Sequence, residues 1–218
     1  MPFYSDSDLA RKFFDSIDST LPFSMEYDDK VQFKEYWTSA LKKYYLNDLT
    51  ASKDVLLRNL THIVGDIVIT CPMHTALQQH LAVAKRPQYL YRFEYEGTFK
   101  FSYLYAGHRV NNYGVAHGDE LLYLFPARSS YFGPPEYKKN ENDWKMVDMM
   151  VELWTSFATT GTPSASMFNG TKIWEPFSSR NNYLQIGNGG QLTLENKSGF
   201  LTARMQFCKE LYANTTWV

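Results

Sequence analysis

A histidine framed by small residues is the strongest candidate for chemistry in this chain. His117 lies between Ala116 and Gly118, inside the segment Gly-Val-Ala-His-Gly-Asp-Glu-Leu-Leu-Tyr-Leu-Phe at 114–125. An imidazole is the side chain best suited to take up and return a proton near neutral pH. Small neighbours allow a loop to bring such a base close to a reacting group. The segment therefore predicts a general base on a loop.

Two acids follow this histidine, but neither is expected to orient it. Asp119 and Glu120 are two and three residues along the chain, so their carboxylates point away from the ring nitrogen that they would have to reach. Asp119 is instead interpreted as an acid at the start of a short helix, where it favours the helix dipole.

The other histidines do not form a metal site. His74 and His80 are six residues apart, which does not place them on one face of a helix, and His62 and His108 have no cysteine or acid cluster near them. Zinc sites need convergent ligands of these types. We expect no metal and no cofactor.

The elements that must position His117 are read from the periodicity of apolar residues. The pattern predicts strands at 88–95 and 183–187, and helices at 5–20, 29–45, 50–64, 66–85, 119–125, 141–159 and 197–212. This is an α/β pattern with too few strands for a complete parallel sheet. A loop at 97–113 carries aromatic residues that either line a pocket or pack in the core: Phe99, Phe101, Tyr103 and Tyr105.

Composition excludes several classes of partner. The chain of 218 residues is 44% hydrophobic and 17% aromatic and has a net charge of −1. Its charges are mixed and never form a long block, so no nucleic-acid surface is expected. There is no run of about 18 apolar residues, which excludes an obvious transmembrane segment.

Several segments together resemble the type-B carboxylesterases, the α/β-hydrolases that include cholinesterases and insect juvenile hormone esterases. They run in the order of that family over roughly residues 60–210. They are the histidine segment 114–125, the strand 89–95, the helix end and Gly-x-Pro turn at 154–163, two closing strands at 173–177 and 183–187, and the last helix at 204–208. Residues 1–60 match only loosely.

The resemblance implies that the whole chain, 1–218, is the C-terminal portion of a carboxylesterase type-B domain, with an incomplete α/β-hydrolase sheet and packed helices. It also implies that His117 is the catalytic base and that Glu120, like the similarly placed glutamate of relatives, stabilises the histidine segment without contacting the substrate. In this family the triad follows the order serine, acid, histidine. No Gly-x-Ser-x-Gly occurs in the 218 residues. The family's acid lies about a hundred residues before the histidine in a Gly-rich Glu-Gly segment, and no such segment occurs near the start of this chain. Asp6 and Asp8, in Ser-Asp-Ser-Asp, are interpreted as helix caps. The nucleophile, the triad acid and the oxyanion hole are therefore expected outside this chain.

The resemblance further implies a disulfide between Cys71 and Cys208, because cholinesterase-like proteins join a Cys-Pro before a long helix to a cysteine in the final helix. The alternative is two buried thiols.

Four Asn-x-Ser/Thr sequons, at Asn59, Asn169, Asn196 and Asn214, predict N-glycosylation; chance matches are the alternative. With the disulfide, they indicate a secreted parent protein. The N-terminal residues 1–6 have no basic start and apolar centre, so no signal peptide is expected in this chain.

Two functions remain open. The first is a serine carboxylic-ester hydrolase acting on a small hydrophobic ester, with this chain supplying the histidine, needing the missing N-terminal half and being inactive alone. The second is a non-catalytic interaction module, or an inactive truncated product, like the cholinesterase-like adhesion proteins.

Overall fold

The computed structural model describes residues 6–105, 113–126, 129–132, 138–168 and 174–216. Its elements, in chain order, are α1 (Ser7–Asp15), α2 (Ile17–Ser24), α3 (Lys34–Tyr45), α4 (Lys53–Gly65), a π-helical turn (Asp66–Thr70), α5 (Cys71–Leu81), β1 (Tyr91–Tyr95), α6 (Phe101–Tyr105), α7 (Leu121–Leu124), α8 (Ser129–Phe132), α9 (Glu141–Thr160), a 3₁₀ turn (Ser166–Phe168), β2 (Tyr183–Gly189), β3 (Gln191–Lys197) and α10 (Thr202–Ala213). They divide between two compact units, Met1–Val83 with Leu201–Val218, and Ala84–Phe200.

The first unit is helical in its described part and contains α1 to α5 and α10. Asp6 begins it as predicted, because its carboxylate accepts the backbone N–H groups of Asp8 and Leu9, each at 2.9 Å. The predicted helix at 5–20 is divided into α1 and α2, with Ser16 between them. The apolar faces of these helices form one core, which includes Leu21, Leu41 and Ile63.

A disulfide and an ion pair link α10 to α5 and to the π-helical turn that precedes it. A disulfide joins Cys71 to Cys208, with their Cα atoms 5.8 Å apart, so the pairing is as predicted. Close by in sequence, the guanidinium of Arg204 donates to both oxygens of the fully buried Asp66. The hydroxyl of Tyr45 donates to the same carboxylate at 2.6 Å, and burial, with this carboxylate, raises the pKa of Tyr45.

The continuous helical segment Lys53–Leu81 could cross a membrane by length and mean hydropathy, which reaches 1.2. It is the one such segment in the part of the chain that the structure describes. A helix in the core of a folded unit passes the same test, and this segment carries the buried Asp66–Arg204 pair and a disulfide cysteine. The segment is therefore weak evidence for a membrane span.

The second unit contains a three-stranded sheet in the order β1-β2-β3. β1 pairs in parallel with β2, with Tyr91 opposite Leu184, and β2 pairs antiparallel with β3. A parallel pair needs a long crossover, and the segment between β1 and β2 contains α9. The buried side chains of α9 and the sheet share one core, which includes Met146, Met150 and Ile186.

Three sequence-based expectations about the chain from residue 173 onwards were wrong. β3 was missed, although Leu192 and Leu194 alternate with polar residues and both pack against the core. The last helix begins at Thr202 rather than 197, since Lys197 still belongs to β3. The described residues of the segment 173–177 form no strand: Phe177 donates its N–H to the carbonyl of Gln88 at 2.7 Å.

The buried face of α9 also differs in part from the prediction. The sequence predicts an apolar set in this helix, and the structure confirms part of it: Met150 is buried, and Val147 and Trp154 pack against the core, whereas Trp144, Val151 and Phe157 are exposed. The buried face carries Asp143, Met146, Met149, Met150 and Leu153. The helix has two apolar stripes, and the sheet covers the methionine-rich one.

Candidate functional site

His117 is exposed and begins a turn over residues 117–120, in the segment that follows β1 and α6 and leads into α7. Two glycines shape this segment. Gly114 has φ +76° and Gly118 has φ +91°, a region that is costly for residues with a side chain. A Cβ on Gly118 would be in ordinary van der Waals contact with the ring of Phe101, at 3.5 Å, so the φ angle rather than the available space favours glycine there. The backbone of this segment therefore favours glycine at positions 114 and 118, two of the small residues that mark the motif in the sequence.

Asp119 closes this turn from inside. Its side chain is buried, with 2% exposure, and each carboxylate oxygen accepts a backbone N–H at 2.8 Å, one from Ala116 and one from Phe101. The N–H of Asp119 in turn donates to the carbonyl of Ala116 at 3.1 Å. Burial raises the pKa of the Asp119 carboxyl, and the two backbone N–H groups oppose that rise.

This arrangement corrects the interpretation of Asp119. Its carboxylate was expected to serve the dipole of a short helix, but it links the histidine turn to the first residue of α6, 18 positions earlier in the chain. The sequence could not indicate that partner, because the contact is not local.

Glu120 lies on the other side of the turn and is half-buried. Its carboxylate accepts a hydrogen bond of 3.3 Å from the hydroxyl of Tyr91, the first residue of β1. Burial, and then the charge of Glu120, raise the pKa of Tyr91 to about 12. Tyr91 therefore stays protonated and remains a donor to Glu120 throughout the neutral range.

The hydrogen bonds found around this turn, among the described residues, do not include the imidazole of His117. Asp119 and Glu120, the nearest acids in sequence, are both engaged elsewhere, with backbone amides and with Tyr91. Asp6 caps α1. That neither neighbouring acid orients the imidazole stays a prediction.

A second buried acid, which sequence reasoning missed, organises the surroundings of the turn. Asp143 is fully buried at the start of α9. It accepts hydrogen bonds from the hydroxyl of Tyr95 at 3.0 Å, from the N–H and hydroxyl of Thr98, from the N–H of Asn140 at 2.9 Å and, at 3.5 Å, from the hydroxyl of Tyr123 in α7. The Asn140–Asp143 capping box was the one signal of this role in the sequence.

Lys139 adds a further contact to α7. Its ammonium donates to the carbonyl of Leu122 at 2.5 Å and lies 5.3 Å from the ring centroid of Tyr123. Burial lowers the pKa of Lys139. The short helix that follows the histidine is therefore held by side chains from the start of α9 and from the segment before it.

A cavity of about 160 Å³ lies elsewhere in this unit. Five aromatic side chains line it, together with Leu153 and Pro163. The aromatic residues are Tyr89, Tyr91, Trp154, Phe157 and Trp174. The aromatic residues of the predicted loop do not line it: Phe99 is buried in the core, and Phe101 packs edge-on against Phe132 at 4.9 Å between centroids.

The remaining predicted sites fall in different places. Among the described residues, no group of three or more His, Cys, Asp or Glu side chains could hold a metal ion. Asn196 and Asn214 are exposed, whereas Asn59 is half-buried in α4. Asn169 and His108 lie outside the described residues. Glycosylation at the four sequons stays a prediction.

Comparison with solved structures supports the fold class. The chain superposes on juvenile hormone esterase from Manduca sexta, with OTFP covalently attached, at a TM-score of 0.68 and 17% identity. The match covers 94% of this chain and 37% of that protein. The three-stranded sheet with its packed helices is thus part of an α/β-hydrolase fold, as predicted.

Comparison with known sequences identifies the family. A carboxylic ester hydrolase from Bombus ignitus is 26% identical over 198 residues, which cover 88% of this chain and 34% of that protein. Juvenile hormone esterase from Tribolium castaneum is 28% identical over 121 residues, covering 54% of this chain and 20% of the relative. The chain spans about a third or less of the length of these relatives. The profile of the carboxylesterase family matches residues 2–208, and the chain belongs to that family.

Proposed function

We propose that this chain supplies the general base, His117, to a serine carboxylic-ester hydrolase. The observation that carries the proposal is the presentation of His117: its side chain is exposed, while the turn beneath it is fixed by a buried carboxylate. Membership of the carboxylesterase family supports ester hydrolysis as the reaction.

In the proposed reaction, a neutral His117 accepts the proton of a serine hydroxyl as the oxygen attacks the ester carbonyl. The resulting imidazolium then donates that proton to the leaving alcohol. The acyl-enzyme is hydrolysed by the same steps, with water in place of serine. An imidazole that is accessible on one side and backed by an ordered turn suits these two proton transfers.

The rest of the machinery is assigned to the part of the protein beyond these 218 residues. This chain has no Gly-x-Ser-x-Gly, and its two acids beside His117 bond to other groups. We therefore propose that the serine, the triad acid and the oxyanion hole come from an N-terminal portion, and that the isolated chain is inactive. The substrate class is a small hydrophobic carboxylic ester.

We further propose that the complete protein is extracellular. One relative is a venom carboxylesterase from Apis mellifera, 22% identical over 202 residues. The disulfide between Cys71 and Cys208 also suits an oxidising compartment.

The test joins the chain to an N-terminal portion that carries a Gly-x-Ser-x-Gly segment, taken from the genomic sequence upstream or from a relative. The fusion should hydrolyse a chromogenic carboxylic ester, and a serine-directed organophosphate should block that activity. His117→Ala should reduce kcat by about 10⁴-fold or more, the scale of a lost triad member. His80→Ala, a histidine exposed on α5, is the matched control and should keep the activity.

Two results would contradict the proposal. Organophosphate-sensitive turnover by the isolated chain would mean that it contains its own nucleophile. Equal activity of the fusion and its His117→Ala variant would remove His117 from the reaction. The non-catalytic interaction module would be favoured if the genomic sequence directly upstream encoded the rest of the fold without a Gly-x-Ser-x-Gly segment.

A further inference from the structure

We infer that Asp119 is a positioning residue for His117: its buried carboxylate holds the turn in the one backbone arrangement that presents the imidazole. This inference rests on the proposed function, because it deepens the role of the same turn. It assigns Asp119 no contact with substrate and no proton transfer.

The first argument is the geometry of the two hydrogen bonds. One carboxylate oxygen accepts the N–H of Ala116, directly before the histidine, and the other accepts the N–H of Phe101 at the start of α6. The first bond closes the turn, and the second fixes the turn relative to α6. Both measure 2.8 Å, which is typical of a charge-assisted bond.

The second argument is the position of the side chain in the turn. His117 and Asp119 are separated by Gly118, whose φ of +91° reverses the chain direction locally. The imidazole consequently stays exposed while the carboxylate two residues later is buried. A glycine turn alone is permissive, since glycine populates many conformations. The hydrogen bonds of the Asp119 carboxylate to Ala116 and Phe101 restrict the backbone of the turn to one conformation.

The third argument is the chemistry of the partners. At hydrogen-bond distance in the described residues, the carboxylate of Asp119 is held by backbone N–H groups and not by a cation. Burial of an acid without an ion pair is costly and is repaid by stability only in part. Such an arrangement fixes geometry, and general base catalysis depends on geometry at the scale of about 1 Å.

The test compares variants that remove the two bonds in steps. Asp119→Asn keeps one carbonyl oxygen and so can keep one of the two bonds, and Asp119→Ala keeps neither. Met150→Ala, in the same unit, is the matched control: it removes a fully buried side chain of α9 that takes part in neither hydrogen bond. The full 218-residue chain is used first, and the fusion described above second.

In the isolated chain, amide hydrogen exchange at Ala116 and Phe101 is measured by nuclear magnetic resonance, together with the rate of carbethoxylation of His117. Asp119→Ala should accelerate exchange at both amides by at least about tenfold over the sheet amides, and Asp119→Asn should give a smaller increase. Met150→Ala should change all amides of the unit together. Neither readout needs catalysis, so both remain informative if the proposed function fails.

In the fusion, Asp119→Ala should lower kcat by about 10²-fold with KM within about threefold, because substrate binds elsewhere and the base is misplaced. Met150→Ala should leave kcat per folded molecule unchanged. Unaltered exchange at Ala116 and Phe101 in Asp119→Ala would overturn the inference. So would a kcat of Asp119→Ala that equals that of Met150→Ala at equal folded fraction.

Discussion

The removal of the Asp143 carboxylate is expected to destabilise the sheet unit strongly. Asp143 is fully buried and accepts hydrogen bonds from four residues: Tyr95, Thr98, Tyr123 and Asn140. Asp143→Ala removes the acceptor and leaves the donors in place. The two tyrosines are themselves buried, so water cannot replace the carboxylate without a change in packing.

The magnitude follows from the donors. A hydrogen bond to a charged group contributes about 1.5–3 kcal/mol, and a buried donor left without a partner costs about 1–3 kcal/mol. The bond from Tyr123 is long, at 3.5 Å, and contributes little. Since the bonds share one acceptor, their contributions do not add fully. We therefore expect a loss of about 3–5 kcal/mol in the free energy of unfolding of the unit.

The matched control is Asp148→Ala, an exposed aspartate on the same helix. The control removes a carboxylate from an exposed interior position of the helix, so the difference between the variants reports the buried hydrogen bonds of Asp143, including its capping box with Asn140. The assay is hydrogen exchange by mass spectrometry over a urea series, read on peptides of β1 and β2. Peptides of α3 provide an internal reference, because the chain has two compact units and a single global curve need not be two-state.

Asp148→Ala should change stability by less than about 0.5 kcal/mol. If Asp143→Ala falls within about 1 kcal/mol of this control, the hydrogen bonds around Asp143 do not hold the unit together, and the reasoning is wrong. A loss confined to the α3 peptides would refute it equally, since α3 belongs to the other unit.

Three further outcomes are expected. Cys208→Ser should lower the free energy of unfolding of the helical unit by about 4–5 kcal/mol in the chain-entropy model, because the bridge to Cys71 spans 137 residues. A reduced wild-type chain that unfolds at the same urea concentration as the oxidised chain would contradict this. Gly97→Ala should unfold the sheet unit at lower urea, because a Cβ there would collide with the hydroxyl of Tyr123, whereas Gly65→Ala, with nothing within 4 Å, should raise stability by about 0.5–1 kcal/mol. In the folded chain the pKa of Tyr91 is raised from 10.0 to about 12, so the unfolded state loses this proton first and the free energy of unfolding falls as pH rises from 10 to 12. Urea unfolding of Tyr91→Phe between these pH values should show a shallower fall. A fall identical to that of the unchanged chain would contradict the raised pKa.

The histidine turn could be predicted from the sequence because its determinants are contiguous. His117 and the small residues around it lie within a few positions, and the glycines at 114 and 118 have the positive φ angles that only such residues adopt easily. The same locality explains why the Asp6 cap was predicted, since its partners are two and three residues away.

The supports of the turn could not be predicted, because they depend on contacts between distant residues. Asp119 bonds to Phe101 across 18 positions, and Asp143 bonds to Tyr95 across 48. No periodicity or short motif connects such pairs. The disulfide spans an even greater distance, 137 positions, and was predicted only through the resemblance to cholinesterase-like proteins.

The buried face of α9 illustrates a different limit. Its sequence holds apolar residues on two faces, one with Trp144 and Val151 and one with Met146, Met150 and Phe157. A hydrophobic pattern states that a stripe exists and does not state which stripe the sheet covers. The buried Asp143 lies with the methionines, so the covered stripe includes a charged residue that a pattern of apolar positions would reject.

The three buried aspartates divide according to what holds them. In the helical unit, Asp66 is paired with the guanidinium of Arg204, so its charge is balanced directly. In the sheet unit, the hydrogen bonds to Asp119 and Asp143 come from backbone N–H groups and hydroxyls. Asp143 accepts hydrogen bonds from four residues of the unit, whereas Asp119 accepts two, one from Ala116 beside His117 and one from Phe101 in α6. We therefore expect the two variants to differ. In Asp143→Ala the whole sheet unit should unfold at lower urea. In Asp119→Ala the histidine turn should lose its order while the sheet unfolds at nearly the same urea concentration as in the unchanged chain. If both variants lose the sheet at the same urea concentration, Asp119 supports the fold and does not specifically position His117.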